Sequence, residues 1–147
     1  MSIWRNAASV EELQERAAGT LIERLGMRFT QIGPDFLCAS MPVNDHTRQP
    51  RGVLHGGASE ALAETVGSTA ANLCVDPERD VCFGQEINAN HLRPVREGVV
   101  TATARSVHRG RTSQVWQIEI RDERERLVCI SRITMAVVAI TGPMRVS

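Results

Sequence analysis

The 147-residue chain has no excess of either charge: Lys and Arg number 17, Asp and Glu 17, and the net charge is zero. Nucleic-acid binders concentrate basic charge, so no nucleic-acid partner is expected. Long apolar runs are also missing. The longest stretch free of charge is the twelve residues Ile133–Met144, and a membrane-spanning helix needs about 20 apolar residues. No membrane partner is expected. Residues 1–6 lack the apolar core of a signal peptide, which points to the cytoplasm. The four cysteines, Cys38, Cys74, Cys82 and Cys129, form no C-x-x-C pair. Their apolar neighbours make them small buried hydrophobes sooner than metal ligands or disulfide partners. His46, His55, His91 and His108 show no H-x-x-x-H spacing, which speaks against zinc. No repeat, linker or low-complexity segment interrupts the chain. With 42% hydrophobic and 23% charged residues, disorder and collagen-like structure are excluded. The length suits a single domain over 1–147, able to bury about 70% of its unfolded surface without a metal or disulfide staple.

What is present reads as helix, strands, helix, strands. Ser9-Val-Glu-Glu12 is a capping box, followed by Leu13, Ala17, Leu21 and Leu25 at four-residue spacing up to Gly26. This predicts one amphipathic helix from about 10 to 25. Met27 to Ile32 and Phe36 to Val43 read as strands around Gly33-Pro-Asp35, and Asn44 to Val53 as a loop. Gly57 to Leu73 is apolar nearly all round and predicts a buried helix. Strands follow over Val81–His91, Val99–His108, Thr112–Arg121 and Leu127–Val138. Their connections are short and polar, so chain neighbours are expected to pair antiparallel. The expected class is α+β, one curved antiparallel sheet around one central helix.

The chemistry points to Gln49-Pro-Arg-Gly-Val-Leu-His-Gly-Gly-Ala58, which opens that helix. Gly56 and Gly57 stand where backbone N–H groups lack intrahelical acceptors and the helix dipole is positive. Such an end can hold an anion or a developing oxyanion. Taken alone, His-Gly-Gly is equally a tight loop-to-helix turn. Glu64 shifts the balance. It lies mid-helix among apolar residues, where an unpaired carboxylate is costly unless satisfied by a local hydrogen bond. Ser68 follows one turn later on the same face, within reach of that carboxylate. Glu60 lies one turn from the helix start, suits the dipole, and reads as structural.

Together, Gln49-Pro, Leu54-His-Gly-Gly-Ala58, Ala63-Glu64, Gly67-Ser68 and Glu86-Ile-Asn-Ala-Asn-His91 resemble the hotdog-fold acyl-CoA thioesterases. The similar branch is that of hydroxybenzoyl-CoA and dihydroxynaphthoyl-CoA thioesterases and their aryl-carrier-protein relatives, and it covers the chain from Ile3 to Val138. The resemblance implies Glu64 as nucleophile or general base, the Gly56 N–H as oxyanion hole, and His55 and Gln49 as positioning groups for the thioester. Ser68 would hold the water or the carboxylate. Gly57, His91, Leu92, Arg93 and Pro94, with the loop His108, Arg109, Gly110, Arg111, Thr112 and Ser113, match the family's substrate-binding segments. Guanidiniums suit phosphates, although each surface arginine taken singly is as readily a solvated charge. Gly84 marks a close approach of strand to ligand or helix, or a bulge. No cofactor or metal is implied. One departure stands out: Arg51 occupies a place usually held by an aromatic residue, which admits a carboxylated or carrier-bound acyl group.

The substrate implied is an acyl-CoA or aryl-carrier-protein thioester, aromatic by the branch resembled. Two other readings compete. An enoyl-thioester hydratase needs an Asp and His pair sharing a water, and the central helix has none. A non-catalytic acyl-CoA-binding module has no use for Glu64 beside the Gly56 site. Gly56 and Glu64 are eight residues apart, or about 12 Å along one helix. One thioester carbonyl cannot meet both, so Gly56 of one chain is expected to work with Glu64 of another. This implies a homo-oligomer, dimer or dimer of dimers, with shared sites.

Overall fold

A computed structural model describes residues 1–142; residues 143–147, included in the single domain expected above, lie outside them. The chain begins with α1 (Val10–Arg16), α2 (Leu21–Arg24), β1 (Arg28–Ile32) and β2 (Phe36–Pro42). It continues with α3 (Gly56–Leu73), β3 (Asp80–His91), β4 (Val99–Arg109), β5 (Ser113–Arg121) and β6 (Leu127–Ala139).

The capping box is formed: Glu12 N–H donates to Ser9 Oγ at 3.1 Å, and Ser9 N–H donates to Glu12 Oε2 at 2.8 Å. The single helix expected over 10–25 is two. Gly19 adopts φ +74°, a left-handed conformation glycine takes without strain. Thr20 then starts a new helix, accepting from Ile22 N–H at 3.2 Å and donating to the Ala17 carbonyl at 2.7 Å. Four-residue spacing cannot register such a break, because the apolar face continues across it.

The six strands form one antiparallel sheet in the order β1-β2-β4-β5-β6-β3. The hairpins β1–β2, β4–β5 and β5–β6 agree with the sequence reading. The pairing expected of β3 with β4 does not occur. β3 instead pairs β6 and lies at an edge of the sheet. Curvature of the sheet lets the short connection 92–98 cross from this edge to β4.

The inner face of the sheet grips α3. Leu62, Ala63, Val66, Ala70 and Ala71 are fully buried against Leu37, Met41, Ala102, Ile118 and Ile133. Trp4 stacks on the fully buried Trp116, ring centroids 6.2 Å apart and planes 7° from parallel. Both indoles are packing residues, their N–H groups donating to the Gly33 carbonyl at 2.7 Å and to Gln114 Oε1 at 2.8 Å.

Contact between α3 and the sheet is close at Gly67. A Cβ there would stand 2.8 Å from Ile133 Cγ2 and 3.3 Å from Ile118 Cδ1. We expect Gly67→Val to destabilise the protein by about 1–3 kcal/mol through overpacking, read as a lower urea midpoint. An unchanged midpoint would mean that the sheet yields at this point.

Candidate active site

Three clusters of the expected site residues lie along α3. The first is at its N-terminus, where loop 44–55 is tied to residues 91–95. Leu54 N–H donates to the Val95 carbonyl at 2.7 Å, and His55 N–H to the carbonyl of the buried Thr47 at 2.8 Å. Between them is a cavity of about 350 Å³, lined by Gln49, Gly56, His91, Leu92, Arg93 and Pro94. Val53, Leu54 and Val128 complete it. The sequence reading missed these three, since apolar residues in a loop and a strand carry no chemical signal.

The polar groups at this cavity are held in defined orientations. Arg51 N–H donates to Gln49 Oε1 at 2.5 Å, which leaves the Gln49 NH2 group to donate outward. Arg51 itself is exposed and does not line the cavity. His55 caps α3, its Nδ1 accepting from Gly57 N–H at 2.8 Å. That bond assigns the proton of a neutral His55 to Nε2, a potential donor. The Gly56 N–H has no acceptor among the described residues. A Cβ on Gly56 would stand 2.9 Å from His91 Nε2, so a side chain there would push the His91 ring aside.

The second cluster is Glu64, Ser68 and Gly84. The expectation that Glu64 is buried is not met: it is exposed in the single chain. Its face of α3 turns toward β3, and β3 is an edge, so nothing in the same chain covers it. Glu64 Oε1 lies 2.6 Å from where a Gly84 Cβ would be. Gly84 therefore answers to both readings, a bulge between Gly84 and Glu86 and a close approach to the helix. Ser68 Oγ donates to the Thr65 carbonyl at 3.4 Å rather than to Glu64. Glu60, half-buried and without an ion-pair partner among the described residues, lies beside Cys129.

The third cluster is the turn after β4, closed by Gly110 N–H donating to the Ser113 carbonyl at 2.8 Å. The His108 ring lies over Gly110. Arg109 interacts with Cys74, the C-terminal cap of α3. Eighteen residues of helix, about 27 Å, thus separate this turn from Gly56. Within one chain His108–Ser113 do not join the first cluster. A second cavity, of about 400 Å³, opens at Ser68 between α1 and α3. Its lining comes from distant segments of the chain, so local sequence patterns could not reveal it.

Burial pushes the Cys82 thiol up to about 11, with Cys74 and Asp80 adding to the effect. Burial, then Glu60, does the same at Cys129, also to about 11. Burial raises Cys74 as well, against the Arg109 charge. Among the described residues no group of three or more His, Cys, Asp or Glu side chains could hold a metal. No helix there is long and apolar enough to cross a membrane.

A curved antiparallel sheet wrapped around one central helix is the hotdog fold. The thioesterase superfamily pattern matches residues 51–129, and the chain belongs to that superfamily. It is 49% identical over 135 residues to the 1,4-dihydroxy-2-naphthoyl-CoA hydrolase of Escherichia coli K12, covering 92% of this chain and 98% of that one. The fold superimposes on a Haemophilus influenzae thioesterase with a TM-score of 0.93 at 44% identity, covering 97% and 99% of the two chains. A Staphylococcus aureus protein solved as a glutamate-to-alanine mutant superimposes with a TM-score of 0.79 at 39% identity, covering 82% and 99%. That protein, called a thioesterase, has also been solved as a glutamine-to-alanine mutant. The protein is a thioester hydrolase.

Thiols held near 11 are almost wholly protonated at pH 8. We expect iodoacetamide to alkylate Cys82 and Cys129 of the native protein about a hundredfold more slowly than in urea, followed by peptide mass mapping. Equal rates would show that these strands open freely.

Proposed function

We propose that the protein hydrolyses an acyl-CoA thioester, with an aromatic acyl group, in sites shared between two chains. The observation that carries this reading is the unbroken helix α3 (Gly56–Leu73), with Gly56 and Glu64 about 12 Å apart along it. A near-attack pose needs reacting atoms within roughly 3.5 Å, so no single chain can serve one carbonyl with both groups. The open edge β3 offers the remedy. Gly56 lies against His91, the last residue of this strand, and Glu64 against Gly84, seven residues earlier. Antiparallel pairing of two β3 edges about a two-fold axis would bring Gly84 of one chain beside His91 of the other, and thereby Glu64 beside Gly56, twice over.

In this mechanism the Gly56 N–H, at the positive end of α3, binds the thioester oxygen as negative charge develops. The Gln49 NH2 group and His55 Nε2–H position the thioester. Glu64 of the partner subunit attacks the acyl carbon or takes a proton from the attacking water, and Ser68 holds that water or the carboxylate. Overall the C–S bond breaks, hydroxide joins the acyl carbon, and the sulfur leaves with a proton. His91, Leu92, Arg93 and Pro94 line the pantetheine path. The partner's turn from His108 to Ser113 closes it, with Arg93, Arg109 and Arg111 available to phosphates. An aryl-carrier-protein thioester would present the same arm.

Similarity to a naphthoyl-CoA hydrolase supports an aromatic acyl-CoA. The mutated glutamine and glutamate of the Staphylococcus aureus thioesterase are fifteen positions apart, as are Gln49 and Glu64. That spacing supports these two residues as the pair that matters. The reading includes a cytoplasmic enzyme whose chain works as one domain.

We expect Glu64→Ala to lower turnover at least about a hundredfold, with a far smaller change in substrate affinity. Glu60→Ala should remain active. The measurement is thiol release from benzoyl-CoA and naphthoyl-CoA, and a Glu64→Ala protein that keeps most of its turnover removes Glu64 from the mechanism.

Shared sites make a second prediction. Glu64→Ala and Gly56→Val proteins should each be nearly inactive, yet regain activity when unfolded and refolded together. A mixed dimer has one intact site and one doubly damaged. Random pairing makes about half the dimers mixed, so recovery should approach roughly a quarter of the unmodified activity. Demonstrably mixed dimers without activity would exclude sharing.

A further inference from the structure

Of the chain's 17 basic residues, none lies in α3 or β3. These two elements, which the reading above pairs between chains, carry Glu60, Glu64, Asp80 and Glu86, and His91 is their one base. A chain with no net charge has thus placed carboxylates on one surface without arginine or lysine to balance them. Arg79 and Arg93 flank β3 beyond its two ends. Arg93 lines the Gly56 cavity, where the partner's Glu64 would work. Cationic charge therefore stands at the ends of this surface and not in its middle.

The middle is Glu60. Gly56, Glu60 and Glu64 follow at four-residue spacing on one face of α3. Glu60 stands about 6 Å along the helix from each of the other two. A two-fold axis that sets Gly56 of one chain beside Glu64 of the other must pass midway between them. The midpoint in each chain is Glu60, so symmetry sets it against Glu60 of the partner subunit. Nothing in its own chain neutralises it. Glu60 is half-buried beside Cys129 and has no ion-pair partner within 4.0 Å among the described residues. The Ser131 hydroxyl, two residues beyond Cys129 in β6, is buried and makes no hydrogen bond with it.

We propose that the two Glu60 side chains meet on the two-fold axis between the paired sites, and that their repulsion sets how readily the shared site assembles. This rests on the shared-site reading above. Like charges brought together at an interface oppose association, and the partner's surface displaces the water that weakens their interaction in the single chain. Glu60 has no part in the steps at the thioester. It governs the number of assembled sites and not the chemistry within one. Dissolved salt screens the repulsion, so the fraction of chains assembled rises with ionic strength.

The dimer dissociation constant tests this, measured by sedimentation equilibrium in about 10 mM and about 1 M sodium chloride, where the screening length is about 30 and about 3 Å. Unmodified dimers should tighten about tenfold or more in the higher salt. Glu60→Gln keeps the shape and removes the charge. It should be that tight already in the lower salt and lose most of the salt dependence, while thiol release per assembled site stays the same. Charge reversal then probes the axis itself. Glu60→Lys chains repel one another as unmodified chains do, but a mixed pair joins opposite charges. When the two are refolded together in the lower salt, with a mass tag on one, mixed dimers should rise from the random value of about half to about four-fifths or more, counted by native mass spectrometry. A mixed fraction that stays at about half, or a Glu60→Gln dimer no tighter than the unmodified one in the lower salt, overturns the meeting of the two Glu60 side chains and leaves the shared site standing. A chain that sediments as a monomer at every concentration and salt overturns the shared-site reading itself, and this proposal with it.

Discussion

Helix α3 can lie as close to the sheet as it does because small residues face the strands. Gly67 touches Ile133 and Ile118 with no room for a methyl group, and Ala63, Ala70 and Ala71 are fully buried beside it. Close packing of this kind leaves the helix no freedom to slide or rotate. The Asn72 side chain adds two hydrogen bonds to the backbone of Cys82, fastening the end of the helix to β3. The candidate groups carried by α3, Gly56, Glu64 and Ser68, are placed by this one contact. Gly56 is set against His91 at the C-terminal end of β3, and Glu64 over Gly84, seven residues earlier in the strand.

A rigid helix that holds the two proposed catalytic groups about 12 Å apart also limits what one chain can do. The same packing that orients Gly56 and Glu64 keeps them from meeting. β3 lies at the edge of the sheet, with Phe83 and the following Leu92 more than half exposed. An edge strand is a template for pairing, and on the reading proposed here that pairing completes the site. On the same reading, Glu64 is exposed in the single chain because its proposed cover comes from another subunit.

Several features were legible in the residues. The capping box at Ser9, the extent of α3 and the β1–β2, β4–β5 and β5–β6 hairpins depend on neighbours within a few positions, and local patterns report such neighbours faithfully. The Gln49 to Ala58 motif likewise marked the cavity at the helix start. Other features were not legible. The break at Gly19 is hidden because an apolar face continues through it. The separation of β3 from β4 is hidden because a short connection between antiparallel strands normally makes a hairpin. Glu64 read as buried because its neighbours in sequence are apolar, yet its side chain leaves the helix toward an open edge. Ser68 was within reach of Glu64 by spacing, and its hydroxyl turned to a backbone carbonyl instead.

By itself the sequence determined the class of fold, because hydrophobic period is a local property, and its motifs carried the likeness to the superfamily and to the groups proposed to act on a thioester. It also determined that Gly56 and Glu64 cannot serve one carbonyl from the same helix, since the rise per residue is invariant. Only the tertiary structure decided which strand is the edge, which way Gln49 and His55 present their donors, and that Glu64 faces outward over Gly84. It alone assembled a second cavity from α1, α3 and β3. These are outcomes of packing between segments distant in the chain, and burial there depends on what the fold brings opposite each residue.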